Sequence, residues 1–444
     1  MPTNSRSGPR DSPVRRTITA TLLFAPALLL GAACGEVAET GHPDESGFVS
    51  SDTQRVLSPM VPASERDEIV AGANEFAFDL YGALATEDGN LFYSPYSISL
   101  ALAMTYAGAR GETEQQMADT LHFTLPQGRL HSAFNGLDLE LARRGQGARG
   151  TDEEGFRLNI ANAIWGQENY RFLEEFLDVL AANYGAGLRL VDFEREAEKS
   201  RITINDWVAE ETEGKIQDLI PPDVIDDLTR LVLTNAIYFN AAWLNPFQEP
   251  LTEGGPFHTL DGRDVQVPMM RQLASLGYAE GEGYQAVELP YDGQELSMVI
   301  LLPDAGEFEA FEGSLNADFF NSVADDLTSH QVSLTMPEFE YESEFSLRNA
   351  LTELGMPRAF SDTADFSGMN GEGGLYIQDV LHKAFVSVDE KGTEAAAATA
   401  VVVGLTSAPS PDVELTIDRP FVFLIRDVQT GAVLFTGRVL DPTA

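Results

Sequence analysis

The stretch at residues 94–109, SPYSISLALAMTYAGA, constrains the fold more than any other part of this sequence. It reads as a helix that is apolar around almost its whole circumference, and such a helix is stable only when it is buried on every side. The rest of the chain must therefore surround it with a large core. A length of 444 residues, 43% of them hydrophobic, is enough to do so.

Helices and strands alternate irregularly after this segment. The apolar run at residues 230–243, RLVLTNAIYFNAAW, predicts a buried strand, and residues 171–185, RFLEEFLDVLAANYG, predict a helix that ends at Gly185. The last predicted element is a hairpin that turns near Thr430 and Gly431. No internal repeat or proline-rich linker divides the chain. The pattern indicates an α+β fold in a single large domain.

The surface charge excludes one class of partner. Asp and Glu outnumber Lys and Arg by 70 to 28, for a formal net charge of −42. Such a surface repels phosphate, so no nucleic-acid partner is predicted. Only four lysines occur, which argues against a heparin-like polyanion cofactor.

The N-terminus has the layout of an export signal. An apolar run leads into Cys34, the only cysteine, and arginines precede it at positions 6, 10, 15 and 16. We predict a signal peptide over residues 1–33 that resembles a bacterial lipoprotein signal, with Cys34 lipidated; ordinary cleavage nearby is the alternative. Residues 34–65 read as a flexible acidic tether. The protein is expected to be exported, either as a cell-envelope lipoprotein held at the membrane only by its lipid anchor, or as a periplasmic or extracellular protein.

Motifs for catalysis are missing. The GQGARG stretch at residues 145–150 matches a dinucleotide fingerprint but lacks the strand before it and the helix after it, so it reads as a linker. The sequence contains no Walker loop, no metal-ligand spacing and no G-x-S-x-G elbow. We therefore predict neither an enzyme nor a bound metal or cofactor.

Residues 390–404, EKGTEAAAATAVVVG, are ambiguous. Their alanine-rich first half favours helix and their valine run favours strand, so an exposed loop, a helix and a buried strand all remain open.

Residues 381–405, LHKAFVSVDEKGTEAAAATAVVVGL, followed by residues 418–443, DRPFVFLIRDVQTGAVLFTGRVLDPT, resemble the reactive-loop region and C-terminal signature of serpins. The resemblance covers residues 66–442, with further motifs in family order, among them residues 90–121 and 231–247. It implies the serpin fold for residues 66–444: three β-sheets, eight to nine helices and an exposed reactive loop at about residues 390–419. It also implies a monomer that acts on a serine protease, or alternatively a cysteine protease.

The implied mechanism is suicide inhibition. A protease attacks the loop and forms an acyl-enzyme, and insertion of the cleaved loop into the large sheet then traps it. Insertion buries alternate side chains, and counted from Thr393 the inward set is uniformly small or β-branched, whereas the charged Glu394 points outward. The hinge residues carried over from the family are Glu390, Gly392, Thr393, Glu394, Ala395, Ala396, Ala397, Ala398, Thr399 and Ala400.

The family spacing from Glu390 places the cleaved bond between Thr406 and Ser407, with Leu405 as the alternative acyl-side residue. These residues suit an elastase-like, subtilisin-like or chymotrypsin-like protease. No Arg or Lys lies between Gly392 and Asp418, which disfavours trypsin-like targets.

The resemblance assigns a second set of residues to the sheet that admits the loop. They are Ser94, Ser97, Asn235 and His382 beneath the sheet, and Trp243 near the point of loop entry. Ordinary core packing is the alternative for each of them. The alternative function is that of a non-inhibitory serpin serving as a carrier, chaperone or surface-binding protein. Such members usually carry bulky or charged residues on the inward set, which this sequence does not. A surface hydrolase would need a nucleophile site that is not found.

Overall fold

A computed structural model describes residues 47–148, 157–393 and 410–444. Within these ranges the chain forms ten α-helices and sixteen strands. The helices are α1 Ala63–Leu84, α2 Pro95–Tyr106, α3 Gly111–Thr120, α4 Gln127–Leu141, α5 Glu174–Tyr184, α6 Phe193–Glu211, α7 Phe308–Glu312, α8 Ala317–Asp326, α9 Arg348–Leu354 and α10 Ser367–Asn370. None of the described helices is long and apolar enough to cross a membrane.

The strands form two sheets. They are β1 Phe48–Val49, β2 Leu91–Tyr93, β3 Arg157–Gln167, β4 Leu188–Val191, β5 Leu231–Ala242, β6 Glu253–His258, β7 Asp264–Gly281, β8 Tyr284–Pro290, β9 Leu296–Pro303, β10 Thr328–Pro337, β11 Phe339–Ser346, β12 Asp379–Val388, β13 Gly392–Thr393, β14 Val413–Thr416, β15 Phe421–Asp427 and β16 Val433–Val439.

The seven-stranded sheet has the order β1-β4-β3-β5-β13-β12-β11. Strands β5 and β12 also pair directly and in parallel, from Asp379 beside Val232 to Ala384 beside Ile237. Beyond that stretch the two strands part, and the two-residue strand β13 lies between them. This is the only place in the described sheet where one segment separates two otherwise paired strands.

The nine-stranded sheet has two halves joined by the long strand β7. Its first part pairs with β6 and β10, and its last residues pair with β8. The three sheets expected from the sequence therefore correspond to the seven-stranded sheet and these two halves, which share one continuous hydrogen-bonded strand.

Helix α2 lies in the core, as its composition predicts. Every one of its residues is buried. It packs against α1 and α4, against β3 and β5 of the seven-stranded sheet, and against β16 of the nine-stranded sheet. Ser94 caps its N-terminus, with Oγ accepting from the Ser97 N–H at 3.2 Å. The predicted stop of α5 is also confirmed, because Gly185 ends that helix in the left-handed conformation.

Residues 47–62 differ from the predicted flexible tether. Strand β1 extends the seven-stranded sheet by pairing with β4. Arg55 forms an ion pair with Asp138, and Asn135 donates to the Val56 carbonyl at 2.7 Å. Polar composition suggested a solvated segment, but its backbone and side-chain partners on α4, α5 and β4 hold this part against the body. The last three residues of the predicted tether, Ala63–Glu65, form the start of α1, and residues 34–46 lie outside the described residues.

Candidate functional site

The site is the point where β13 enters the seven-stranded sheet. After β12 the chain turns at residues 389–391 and reverses, so that Thr393 pairs with Val388 on one side and Ala241 on the other. Thr393 is only 1% exposed. The segment that follows β12 thus already occupies the upper end of the gap between β5 and β12.

Gly392 is required here by space. A Cβ at this position would lie 2.1 Å from the Ala241 carbonyl oxygen and 2.8 Å from the Ala242 Cα. Both are backbone atoms of a central strand, so neither can move aside cheaply. Gly392 is thus an extended residue of β13 at a position that cannot hold a side chain.

Thr393 is held by an aromatic pair, Tyr291 and Trp243. We call these three residues the hinge latch. The Tyr291 hydroxyl lies 2.8 Å from the Thr393 Oγ1. The Tyr291 ring stacks on the Trp243 ring, with centroids 4.7 Å apart and planes at 10°. Burial raises the pKa of Tyr291 far above its ordinary value, so its hydroxyl stays protonated and available for this bond.

The turn before β13 is bound to the same region. The Trp243 indole N–H donates to the Asp389 carbonyl at 3.0 Å, and the Trp243 backbone N–H donates to the Lys391 carbonyl at 2.8 Å. The Phe247 N–H donates to the Glu390 carbonyl at 2.7 Å. These bonds fix the turn at residues 389–391 to Trp243 and Phe247, in the segment that follows β5.

A polar cluster lies further down the same gap. Asn162, Asn235 and His382 stand side by side on β3, β5 and β12. Asn235 Nδ2 donates to the Ser97 Oγ at 2.6 Å and also to the side-chain oxygen Oδ1 of Asn162. Ser94 donates from its backbone N–H to His382 Nε2 at 3.2 Å. The cluster joins three strands to the N-terminus of α2.

The tautomer of His382 follows from its partners. Full burial lowers its pKa to about 3, so the ring is neutral at pH 7. Because Nε2 accepts from Ser94, the proton is on Nδ1, which donates to the Asn235 side-chain oxygen. Each ring nitrogen therefore has a partner, and the hydrogen bond between His382 and Asn235 spans the β5–β12 junction.

Most of the chain is similar to a family of known proteins. Residues 71–442 match the family model described as Serpin (serine protease inhibitor). The chain belongs to the serpin family. It is 39% identical over 406 residues to an uncharacterized serpin-like protein of Thermococcus kodakarensis, covering 91% of this chain and 92% of that protein. It is 38% identical over 388 residues to the human leukocyte elastase inhibitor, covering 85% of this chain and all of the inhibitor.

The fold agrees with a solved serpin structure. The native state of tengpin, a thermophilic serpin, superposes with a TM-score of 0.78 at 30% identity, covering 89% of this chain and 99% of that one. The predicted α+β serpin fold is therefore confirmed. The partner that membership of this family implies is a target protease.

The structure brings the described residues of the site prediction into two groups. Ser94, Ser97, Asn235 and His382 form the polar cluster, and Trp243, Glu390, Gly392 and Thr393 surround the loop entry. The remaining predicted residues lie outside the described residues: Cys34, Glu394, Ala395, Ala396, Ala397, Ala398, Thr399, Ala400, Leu405, Thr406 and Ser407.

Two residues of this serpin site escaped the sequence analysis. Tyr291 follows β8 and reaches the hinge only through the fold, so nothing in its local pattern marks it. Asn162 offered a usable signal, since an asparagine inside the apolar strand segment NIANAIWG needs a partner, just as Asn235 does.

Proposed function

We propose that this serpin is a suicide inhibitor of a serine protease with an elastase-like, subtilisin-like or chymotrypsin-like pocket. The protease cleaves the loop between Thr406 and Ser407, forms an acyl-enzyme with Thr406, and is trapped when the loop enters the seven-stranded sheet. The observation that carries this proposal is the burial of Thr393 between β5 and β12, in register with both strands.

The pairing geometry supports insertion as a continuation of β13. A strand that starts at Thr393 and runs antiparallel to β5 and β12 would next pass between the two strands where they now pair directly. The inserted residues would exchange one parallel ladder for two antiparallel ones. Backbone hydrogen bonds therefore increase in number, which favours the inserted state.

The polar cluster lies on that route. His382 and Asn235 are paired within the β5–β12 ladder, so a passing strand separates them. Their buried polar atoms must then find new partners, at a cost of about 1–3 kcal/mol for each atom left unsatisfied. The cluster thus contributes to an energy barrier that keeps the uncleaved protein in the form in which β5 and β12 pair directly.

Incubation with the three protease types tests this function. We expect an SDS-stable adduct, together with a released C-terminal fragment whose mass corresponds to residues 407–444. A protease whose catalytic serine is blocked should give neither product. Loop cleavage without any adduct, for all three proteases, would support the non-inhibitory alternative.

The proposal includes export and a lipid anchor at Cys34, supported by the basic N-terminus and the position of the only cysteine. We expect mass spectrometry of the mature protein to find Cys34 as a diacylglyceryl-modified N-terminus. A Cys34→Ala variant should appear in the soluble fraction. An unmodified N-terminus at another residue would contradict the anchor while leaving export intact.

A further inference from the structure

Three carboxylates meet at the turn that leads into β13; we call Glu338, Asp389 and Glu390 the acidic triad. Glu338 lies between β10 and β11, and its carboxyl group hydrogen-bonds Glu390. Glu390 also accepts from the Thr252 hydroxyl at 2.5 Å. Asp389 Oδ1 accepts from the N–H groups of Lys391 and Gly392, at 2.8 and 3.1 Å, and so shapes the turn itself.

The cations near the triad neutralise it only in part, and among the described residues Lys391 is the one that attracts a member of it, Asp389. Lys391 is oriented toward Glu249, with 3.6 Å between Nζ and the carboxylate, and Arg271 on β7 lies 3.5 Å from Glu253 on β6. Glu340, two residues further along β11, is exposed and adds another negative charge to that strand. Glu338 therefore faces the negative charges of Glu390 and Asp389, and like charges this close favour the protonated form of Glu338.

We propose that the acidic triad makes retention of the hinge in the seven-stranded sheet depend on pH, with the inserted hinge favoured in acid and released as the pH rises toward neutrality. The connection is covalent and short. Asp389 and Glu390 stand immediately before Gly392 and Thr393, so movement of the hinge out of the sheet carries two members of the triad away from Glu338.

The direction of this pH dependence follows from the difference in the pKa of Glu338 between the inserted and released forms. Burial, followed by the charges of Glu390 and Asp389, raises the pKa of Glu338 to about 7. When the hinge leaves, those charges leave with it, and the pKa returns toward the ordinary value for glutamate. The inserted form therefore holds its proton more tightly; its advantage is complete below the ordinary pKa and is lost as the pH rises to about 7.

A complete return to the ordinary pKa would change the hinge equilibrium roughly three-hundredfold, but burial causes part of the shift and need not be relieved, and screening at this partly open site reduces the effect further. We expect about a tenfold change between acid and neutral pH. Its consequence for protease trapping rests on the proposed function, because a released hinge leaves the loop freer to enter a protease active site. The hinge movement itself does not depend on that function.

Trp243 reports hinge movement directly. Its indole donates to the Asp389 carbonyl, and its ring stacks on Tyr291, which holds Thr393. The other two tryptophans, Trp165 and Trp207, pack against each other around Arg189. Subtracting the spectrum of a Trp243→Phe variant therefore isolates the signal of the hinge.

The experiment is a fluorescence titration of the full chain from pH 5 to pH 8.5. We expect one transition in the Trp243 signal, which disappears in Glu338→Gln and persists in the matched exposed variant Glu340→Gln. A thermal melt of each variant at pH 5 confirms that it is folded. A transition that survives in Glu338→Gln, or a flat wild-type signal, would overturn the proposal.

Adduct formation with a protease, measured on the same variants, separates this proposal from the proposed function. A pH transition without any adduct would support the hinge switch and contradict the inhibitory function. Adduct formation without any Trp243 transition would support the inhibitory function and contradict the hinge switch.

Discussion

Cleavage of the native protein within residues 404–407 is expected to raise its unfolding temperature by about 20 °C. The cut frees the chain that follows Thr393 to continue β13 between β5 and β12. Roughly ten additional ladder hydrogen bonds form, each worth about 1 kcal/mol net. In a large domain each kcal/mol shifts the unfolding temperature by about 2 °C.

Differential scanning calorimetry before and after a single loop cut measures this shift. Mass spectrometry must first show that only the loop bond is broken. The same cut in a Thr393→Arg variant serves as the control, because insertion is then blocked at its first step and the gain should be much smaller. An unchanged unfolding temperature in the cleaved wild type would contradict insertion.

This result requires that a kinetic barrier, rather than greater thermodynamic stability, keeps the uncleaved protein from inserting its loop. The structure shows two features that can hold it. One is the direct β5–β12 ladder, six residue pairs long, and the other is the buried hydrogen bond between His382 and Asn235 within it. Both must be broken before the new strand gains its partners, which is the ordinary basis of a barrier between two folded states.

The sequence was most informative where a signal is local. Helix α2 and strand β5 are predominantly apolar on every side, so their burial could be predicted from the residues alone. The stop at Gly185 was equally legible. In the site, the polar residues of the cluster stood out because they interrupt apolar elements and came with a family resemblance.

Contacts made by the topology could not be read in this way. Tyr291 meets Thr393, and Glu338 meets Glu390, because separate strands end at the same corner of the molecule. No periodicity connects these residues. The segment at residues 47–62 shows the converse limit, since its polar composition suggested flexibility while its backbone completes the edge of a sheet.

The observed position of Thr393 at the loop entry differs from the one that the sequence pattern predicted. The sequence pattern made Thr393 the first residue to turn inward when insertion begins. In the structure it is already inward, bonded to Tyr291 and paired on both sides. In this state the first step of insertion is complete before any protease arrives, and the step that follows cleavage starts from a formed strand end.

Replacing Thr393 with arginine should convert the inhibitor into a substrate. The side chain occupies a buried position between two strands and is hydrogen-bonded to the Tyr291 hydroxyl, with no hydrogen bond to a carboxylate among the described residues. An unpaired charge there costs several kcal/mol, so the hinge is expelled and insertion is slowed. A barrier increase of about 1.4 kcal/mol already slows insertion about tenfold. Deacylation then overtakes trapping, and the protease is released active after cutting the same bond.

Two matched variants separate the charge from other effects. Thr393→Val keeps the shape and removes only the hydrogen bond to Tyr291, so it should retain most adduct formation. Glu394→Arg places the same new charge one position later, on the side that the period of two predicts to face outward, and should disturb trapping far less. The measurement is the number of inhibitor molecules consumed per protease inactivated, with the cleaved bond identified by fragment mass. We expect at least about a tenfold increase for Thr393→Arg alone. If Thr393→Arg traps protease as well as the wild type, burial of this residue is not a condition of insertion, and the strand-continuation mechanism fails at its first residue.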